Sequence, residues 1–142
     1  MATSSSNSSP RPSSPRILSV GQCGADSRSI ASLLSTHFAA TVDTADTAAH
    51  ARRRIAETAY DLVLVNRILD ADGDSGLDLI TALAAAAASP PVMLVSDRAD
   101  AQSSATTAGA VPGFGKATLR QASTVTTLQR ALARSGKSST PA

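Results

Sequence analysis

The feature that most constrains this chain is the run Leu62-Val63-Leu64-Val65, four consecutive large apolar residues with no polar alternation. A strand with one wet face alternates apolar and polar side chains. A strand covered on both faces does not, and double coverage is the habit of parallel sheets. Ile17-Leu18-Ser19-Val20 reads the same way, as does Val92-Met93-Leu94-Val95 behind Pro90-Pro91, while Thr41-Val42 and the stretch around Phe114 read as weaker strands. Segments of helical period lie between these runs. Asp26 or Ser27 is placed to cap a helix with Ile30, Leu33, Leu34 and Phe38 on one face. Ala48, Ala51 and Ile55 outline a second helix, and Leu77, Ile80 and Leu83 a third. Ala101, Ala105 and Ala108 outline a fourth, ended by Gly109. Thr118-x-x-Gln121 has the form of a capping box opening a fifth, with Leu119, Ala122, Val125, Leu128 and Leu132 inward. Five strands alternating with five helices predict an α/β domain with a doubly wound five-stranded parallel sheet in three layers, α/β/α.

The core of such a domain must be built from Ala, Leu, Ile and Val. Hydrophobic residues make up 42% of the chain but aromatics only 2%, so few large side chains are available to carry the burial. Residues 1–15 are Ser, Pro, Thr and Asn-rich, cannot bury enough apolar surface to offset chain entropy, and read as a disordered tail; residues 135–142 read likewise. One domain, residues 16–134, remains. A formal net charge of +2 is too small to imply nucleic acid, because the only basic run is Arg52-Arg53-Arg54 and there is almost nothing for bases to stack on. A single cysteine, Cys23, excludes an internal disulfide, and no Cys/His pairing suggests zinc, since His37 and His50 stand apart. No apolar run opens the chain, and Leu83 to Ala88 is far too short to cross a bilayer. A cytoplasmic protein without membrane contact is the expectation.

In a doubly wound sheet, ligands sit outside the carboxyl ends of the strands. The segments to inspect are therefore Gly21 to Ala25, Asn66 to Ser75, Ser96 to Asp100 and Gly115 to Ala117. Five segments in order carry a resemblance: Arg16-Ile-Leu-Ser-Val20, Tyr60-Asp-Leu-Val-Leu-Val-Asn66, Gly76-Leu-Asp-Leu-Ile80, Pro91-Val-Met-Leu-Val-Ser96 and Gly109-Ala-Val-Pro-Gly-Phe-Gly-Lys116. Together they make the chain similar to the response-regulator receiver domains of two-component signalling, over essentially the whole folded part. The resemblance implies a flavodoxin-like fold. It also implies a phosphoacceptor position at the end of the third strand, which falls on Asn66, and an acidic pair after the first strand, which falls on Gly21 and Gln22. The hydroxyl after the fourth strand falls on Ser96, and the Lys after the fifth on Lys116.

All three carboxylates that this resemblance calls for are replaced. Mg²⁺ is a hard cation that wants charged oxygens near octahedral positions; Gln22 and Asn66 offer neutral carbonyl oxygens and Gly21 offers no side chain. An amide is also a poor nucleophile beside a carboxylate. Mg²⁺ binding is expected to be lost or weak, with no phosphorylation at Asn66, no catalytic residue and no metal ligand. Lys116 is left solvated or paired with a nearby acid. Ala117 stands where the family usually has Pro. The family's switching aromatic falls on Gly113, with the adjacent Phe114 directed to the other face of a regular strand.

Other candidates have plainer readings. Asp70, Asp72 and Asp74 resemble a fragment of a calcium loop but lack its distal Glu, and read as a solvated acidic loop; Asp72 or Asp74 as a substitute phosphoacceptor is the sharper alternative. Gly21-Gln-Cys-Gly24 matches neither glycine-rich phosphate pattern and reads as a turn, with Cys23 a candidate redox thiol at a helix N-terminus. Arg52 to Arg54 read as a solvated helix face, or else as a docking patch for an acidic partner. The expectation is a pseudo-receiver that is not an enzyme and binds another signalling protein through about Ala101 to Arg134. No output domain is expected after the fifth helix. The rival is a small enzyme or ligand binder using Gln22, Cys23, Asn66, Ser96 and Lys116, which would need a general base that this set does not obviously supply.

Overall fold

A computed structural model of the chain describes residues 14–86 and 89–134. The elements alternate as β1 (Arg16–Val20), α1 (Gly24–Phe38), β2 (Thr41–Ala45), α2 (Ala48–Glu57), β3 (Leu62–Asn66), α3 (Gly76–Ala85), β4 (Val92–Val95), α4 (Ala99–Thr107), β5 (Val111–Phe114) and α5 (Ala122–Arg134). All pairings are parallel, in the order β2-β1-β3-β4-β5. Strand order reverses beside β1, as a doubly wound sheet requires. The two segments expected to be disordered fall outside the described residues, apart from Ser14 and Pro15. Pro15 is buried, and its carbonyl accepts from the N–H of Thr41.

The unalternated strands are covered on both faces. Leu18, Val20, Val63, Val65 and Leu94 face α2, α3 and α4, where they meet Ala51, Leu79, Ile80, Leu83 and Ala105. Ile17, Leu62, Leu64, Met93, Val95 and Phe114 face α1 and α5, where they meet Ile30, Leu34, Leu128 and Leu132. With so few aromatics, the area comes from many medium side chains, each stabilising by about 1.5–3 kcal/mol when fully buried. No helix among the described residues is long and apolar enough to cross a membrane.

Two helix starts differ from the sequence-based reading. The N-cap of α1 is Cys23, not Asp26 or Ser27; Gly21, at φ +76, turns the chain so sharply that the helix begins at Gly24 and leaves Asp26 in the first turn. Thr118 does not open α5. Residues Lys116–Thr118 form a 3-10 turn, the Gln121 N–H donates to the Thr118 carbonyl, and the helix starts at Ala122. The Thr124 hydroxyl then reaches back 2.7 Å to the Thr118 carbonyl. The buried face of α5 is consequently Thr124, Leu128, Ala131 and Leu132, whereas Ala122 is exposed.

Candidate functional site

The three residues that join β1 to α1 begin with Gly21, whose N–H donates to the Ala45 carbonyl at 2.9 Å. Its own carbonyl accepts from the Asp70 N–H at 3.0 Å and from Asn66 Nδ2 at 3.1 Å. A Cβ at this position would run into the side chain of Leu69 and stand 3.0 Å from its Cα, on a backbone whose φ already disfavours any L side chain. Leu69 is fully buried, although it lies in the otherwise exposed loop after β3. A leucine methyl thus fills the space in which a carboxylate at residue 21 would begin.

Asn66 ends β3, half-buried. Its Nδ2 donates to the carbonyls of Gly21 at 3.1 Å and Ile68 at 2.8 Å, while its Oδ1 accepts from the Arg67 N–H at 3.1 Å. These partners admit one orientation of the amide, because reversing it would set Oδ1 against two carbonyl oxygens. Gly76 packs directly against the Asn66 carbonyl, where a Cβ has no room.

Ser96 follows β4, and its hydroxyl accepts from the Arg98 N–H at 3.2 Å. Lys116 lies just past β5 and reaches across the sheet end to Asp26 on α1, at 2.8 Å. The Lys116 ammonium, with the Cys23 thiol as a second donor, holds the Asp26 carboxyl below its ordinary range. Asp97 turns back over Gly115 and accepts from the Ala117 N–H at 3.1 Å. A cavity of about 320 Å³ is lined by Asn66, Arg67, Ser96, Asp97, Arg98 and Lys116. So the structure brings Asn66, Ser96 and Lys116 together around one cavity, while Gln22 lines a different one.

Beside the site, Gly113 presses on the Leu94 carbonyl and on Gln102, leaving no room for a side chain. From α4, Gln102 Nε2 donates to the carbonyls of Leu94 and Ser96, both at 3.0 Å, and of Phe114 at 3.3 Å. Phe114 is buried on the opposite face of the sheet, against α1 and α5.

Asp26 and Gln102 are site residues outside the segments that sequence reasoning marked, while Arg67 and Asp97 lie within those segments without an assigned role. Asp26 carried a usable signal, an acid in the first turn of a helix that starts at the sheet's carboxyl end. The acidic loop is exposed and closed on itself: the Asp74 N–H donates to Asp72 Oδ1, and the Gly73 N–H to the Leu69 carbonyl. Among the three consecutive arginines, Arg52 and Arg53 are exposed, and Arg54, partly exposed, lies 3.9 Å from Asp43.

The fold and this end of the sheet define a flavodoxin-like α/β/α architecture, and solved structures share it. One structure it matches is NtrX from Brucella abortus, with 25% identity and a TM-score of 0.72 over 87% of this chain. This chain spans 28% of the length of that NtrX chain. A putative response regulator from Chloroflexus aurantiacus has 17% identity and a TM-score of 0.75, over 85% of this chain and 99% of its own. The chemotaxis response regulator CheY4 of Vibrio cholerae has 16% identity and a TM-score of 0.66, over 83% of this chain and 98% of its own. No protein-family model and no curated protein matches the sequence. The chain has the fold of response-regulator receiver domains.

Proposed function

We propose that this chain is a pseudo-receiver: a receiver-like signalling domain of a two-component or phosphorelay context that is not phosphorylated at Asn66 and acts by binding another protein. The observation that carries this reading is the Asn66 side chain, donated to the carbonyls of Gly21 and Ile68. An amide is a poor nucleophile, and here both of its N–H groups are occupied. The donor set does not fit Mg²⁺: Gly21 supplies no side chain, Gln22 is neutral, and Asn66 Oδ1 already accepts from the Arg67 N–H. Lys116, which would meet a phosphoryl oxygen, is likewise engaged, with Asp26, while the Ser96 hydroxyl accepts from the Arg98 N–H.

The partner surface is assigned by resemblance to about Ala101 to Arg134. Exposed Ser104, Thr107, Ser123 and Arg130 give it a polar character. Pro112 on the edge strand β5 denies an incoming strand one backbone donor, which favours docking through side chains over strand addition. The rival reading, an enzyme built on Gln22, Cys23, Asn66, Ser96 and Lys116, is disfavoured because Lys116 is bound to Asp26 and Asn66 is bound to main chain.

The test is incubation with acetyl phosphate and Mg²⁺, read by intact mass. The mass is expected to stay unchanged. A gain of one phosphoryl group overturns the proposal, and peptide mapping to Asp72 would identify the substitute acceptor.

A further inference from the structure

A groove of about 470 Å³ runs along one flank of α1 and is bounded on its other side by Leu119 and Arg120, which follow β5. Its floor is apolar: Leu33 and Leu119, both half-buried, pack onto the core between the sheet and α1 and α5. Its rim is cationic. Arg28 and Arg120 are exposed, and neither enters an ion pair among the described residues, whereas Arg16, Arg54, Arg98 and Lys116 each lie beside an aspartate. No acidic side chain among the described residues lines the groove, and Ser32 and Thr36 add hydroxyl donors. Such a surface suits a segment that offers carboxylates around one apolar side chain.

The same chain carries that segment elsewhere. The loop after β3 presents Asp70, Asp72 and Asp74, all exposed and none ion-paired among the described residues. At its base Ile68 is 42% exposed, more than any other large apolar side chain among the described residues. The loop is held in shape before it meets anything. The Leu69 N–H donates to the Asp74 carbonyl at 2.9 Å, the Gly73 N–H donates to the Leu69 carbonyl at 2.8 Å, and Ile68 pairs with Ser75 in an antiparallel bridge. A projection that is already ordered loses little conformational entropy on docking. It cannot turn into its own groove, because the Asp70 N–H is tied to the Gly21 carbonyl at 3.0 Å and buried Leu69 packs against Gly21.

We propose that this groove receives the 68–74 loop of a second copy of the chain, with Ile68 seated on Leu33 and Leu119 and the aspartates meeting Arg28 and Arg120. The contact joins two different surfaces, so each copy offers both a groove and a loop. The seated loop is the one whose Ile68 carbonyl holds the Asn66 amide, which places assembly next to the Asn66 cavity. The proposal does not depend on whether Asn66 is phosphorylated, so the acetyl-phosphate experiment and this one fail independently.

The test is sedimentation velocity of the full chain at concentrations up to about 1 mM, where even a millimolar dissociation constant is visible. The mean mass is expected to rise with concentration. Association should weaken at least tenfold as salt is raised from about 0.01 M to about 1 M, which shortens the Debye length from about 30 Å to about 3 Å. Two charge-reversed variants separate this contact from any other: Arg28→Glu with Arg120→Glu, and Asp70→Lys with Asp74→Lys. All four positions are exposed, and the second variant leaves the Asp72 carboxylate free to accept from the residue 74 N–H. Each variant alone should be monomeric, and an equimolar mixture of the two should associate again, because the glutamates on one then face the lysines on the other. Ile68→Ser changes no charge, should also weaken association at least tenfold, and keeps the test decisive if a charge-reversed variant misfolds by circular dichroism. A wild-type chain that stays monomeric at low salt, association indifferent to salt, a folded charge-reversed variant that assembles alone, or a mixture that stays monomeric would each overturn the proposal.

Discussion

Gly21→Ala adds one methyl group to a chain of 142 residues, and the structure gives two independent reasons why it is costly. The residue sits at φ +76, a left-handed conformation that costs an L side chain about 1–2 kcal/mol. The new Cβ would also meet the Leu69 side chain and approach its Cα to 3.0 Å. Overpacking of that kind costs about 1–3 kcal/mol, so the expected loss is about 2–5 kcal/mol in all. Against a total stability of about 5–15 kcal/mol, that is a large fraction. The assay is urea unfolding followed by far-UV circular dichroism, because the chain has no Trp and one Tyr. A double-mutant cycle separates the two causes. Leu69→Ala alone should cost about 2–5 kcal/mol through its cavity. Combined with Gly21→Ala it should cost less than the sum, by roughly the overpacking share of about 1–3 kcal/mol. Gly21→Asp, which places an acid where the resemblance calls for one, should be at least as destabilised as Gly21→Ala. A Gly21→Ala protein within about 0.5 kcal/mol of the parent, the range of an ordinary surface substitution, refutes the argument that Leu69 forecloses an acid at this position.

Asn66→Asp should destabilise the fold by about 1–3 kcal/mol at neutral pH, because a carboxylate would replace two donated N–H bonds with repulsion from the Gly21 and Ile68 carbonyls. That repulsion raises the folded-state pKa of the new Asp. The loss should therefore be smallest below the unfolded Asp value near 3.9 and grow as pH rises through the folded one, as unfolding at several pH values would show. Lys116→Met should raise the Asp26 pKa toward its ordinary value, read by ¹³C NMR, while costing no more than about 1 kcal/mol, because both side chains are about a third exposed. The sign follows from the depressed Asp26 pKa: its contribution is present above the unfolded value and lost as pH falls through the folded one, and Lys116→Met should flatten that part of the profile. Gln102→Ala removes the donor shared by the Leu94, Ser96 and Phe114 carbonyls. It should cost about 1–3 kcal/mol and speed amide exchange in α4 relative to α1.

How far the site could be read in advance depended on the range of each interaction. Asn66, Ser96 and Lys116 were legible because each lies at or just beyond the end of an apolar run, and a parallel sheet aligns all such ends. Gln22 was assigned to the same site yet lines another cavity, because the turn at Gly21 redirects the chain immediately before it. Thr118 and Gln121 have the right spacing for a capping box, but that spacing is equally satisfied by a turn. The 3-10 geometry after β5 turns the Thr118 carbonyl into the acceptor for the Gln121 N–H and the Thr124 hydroxyl, so Thr118 stands outside the helix instead of capping it.

The sequence by itself determined the architecture, since apolar runs without alternation have few other ways to hide both faces from water. It also determined which charges are missing after β1 and β3. Only the tertiary structure decided what stands in their place: Leu69 against Gly21, the Asn66 amide between two carbonyls, Asp26 on Lys116, and Gln102 beneath Gly113. The physical reason is that periodicity is a local property, written in neighbouring residues. Each of those contacts instead joins segments from different loops and helices, whose approach exists only once the sheet has assembled.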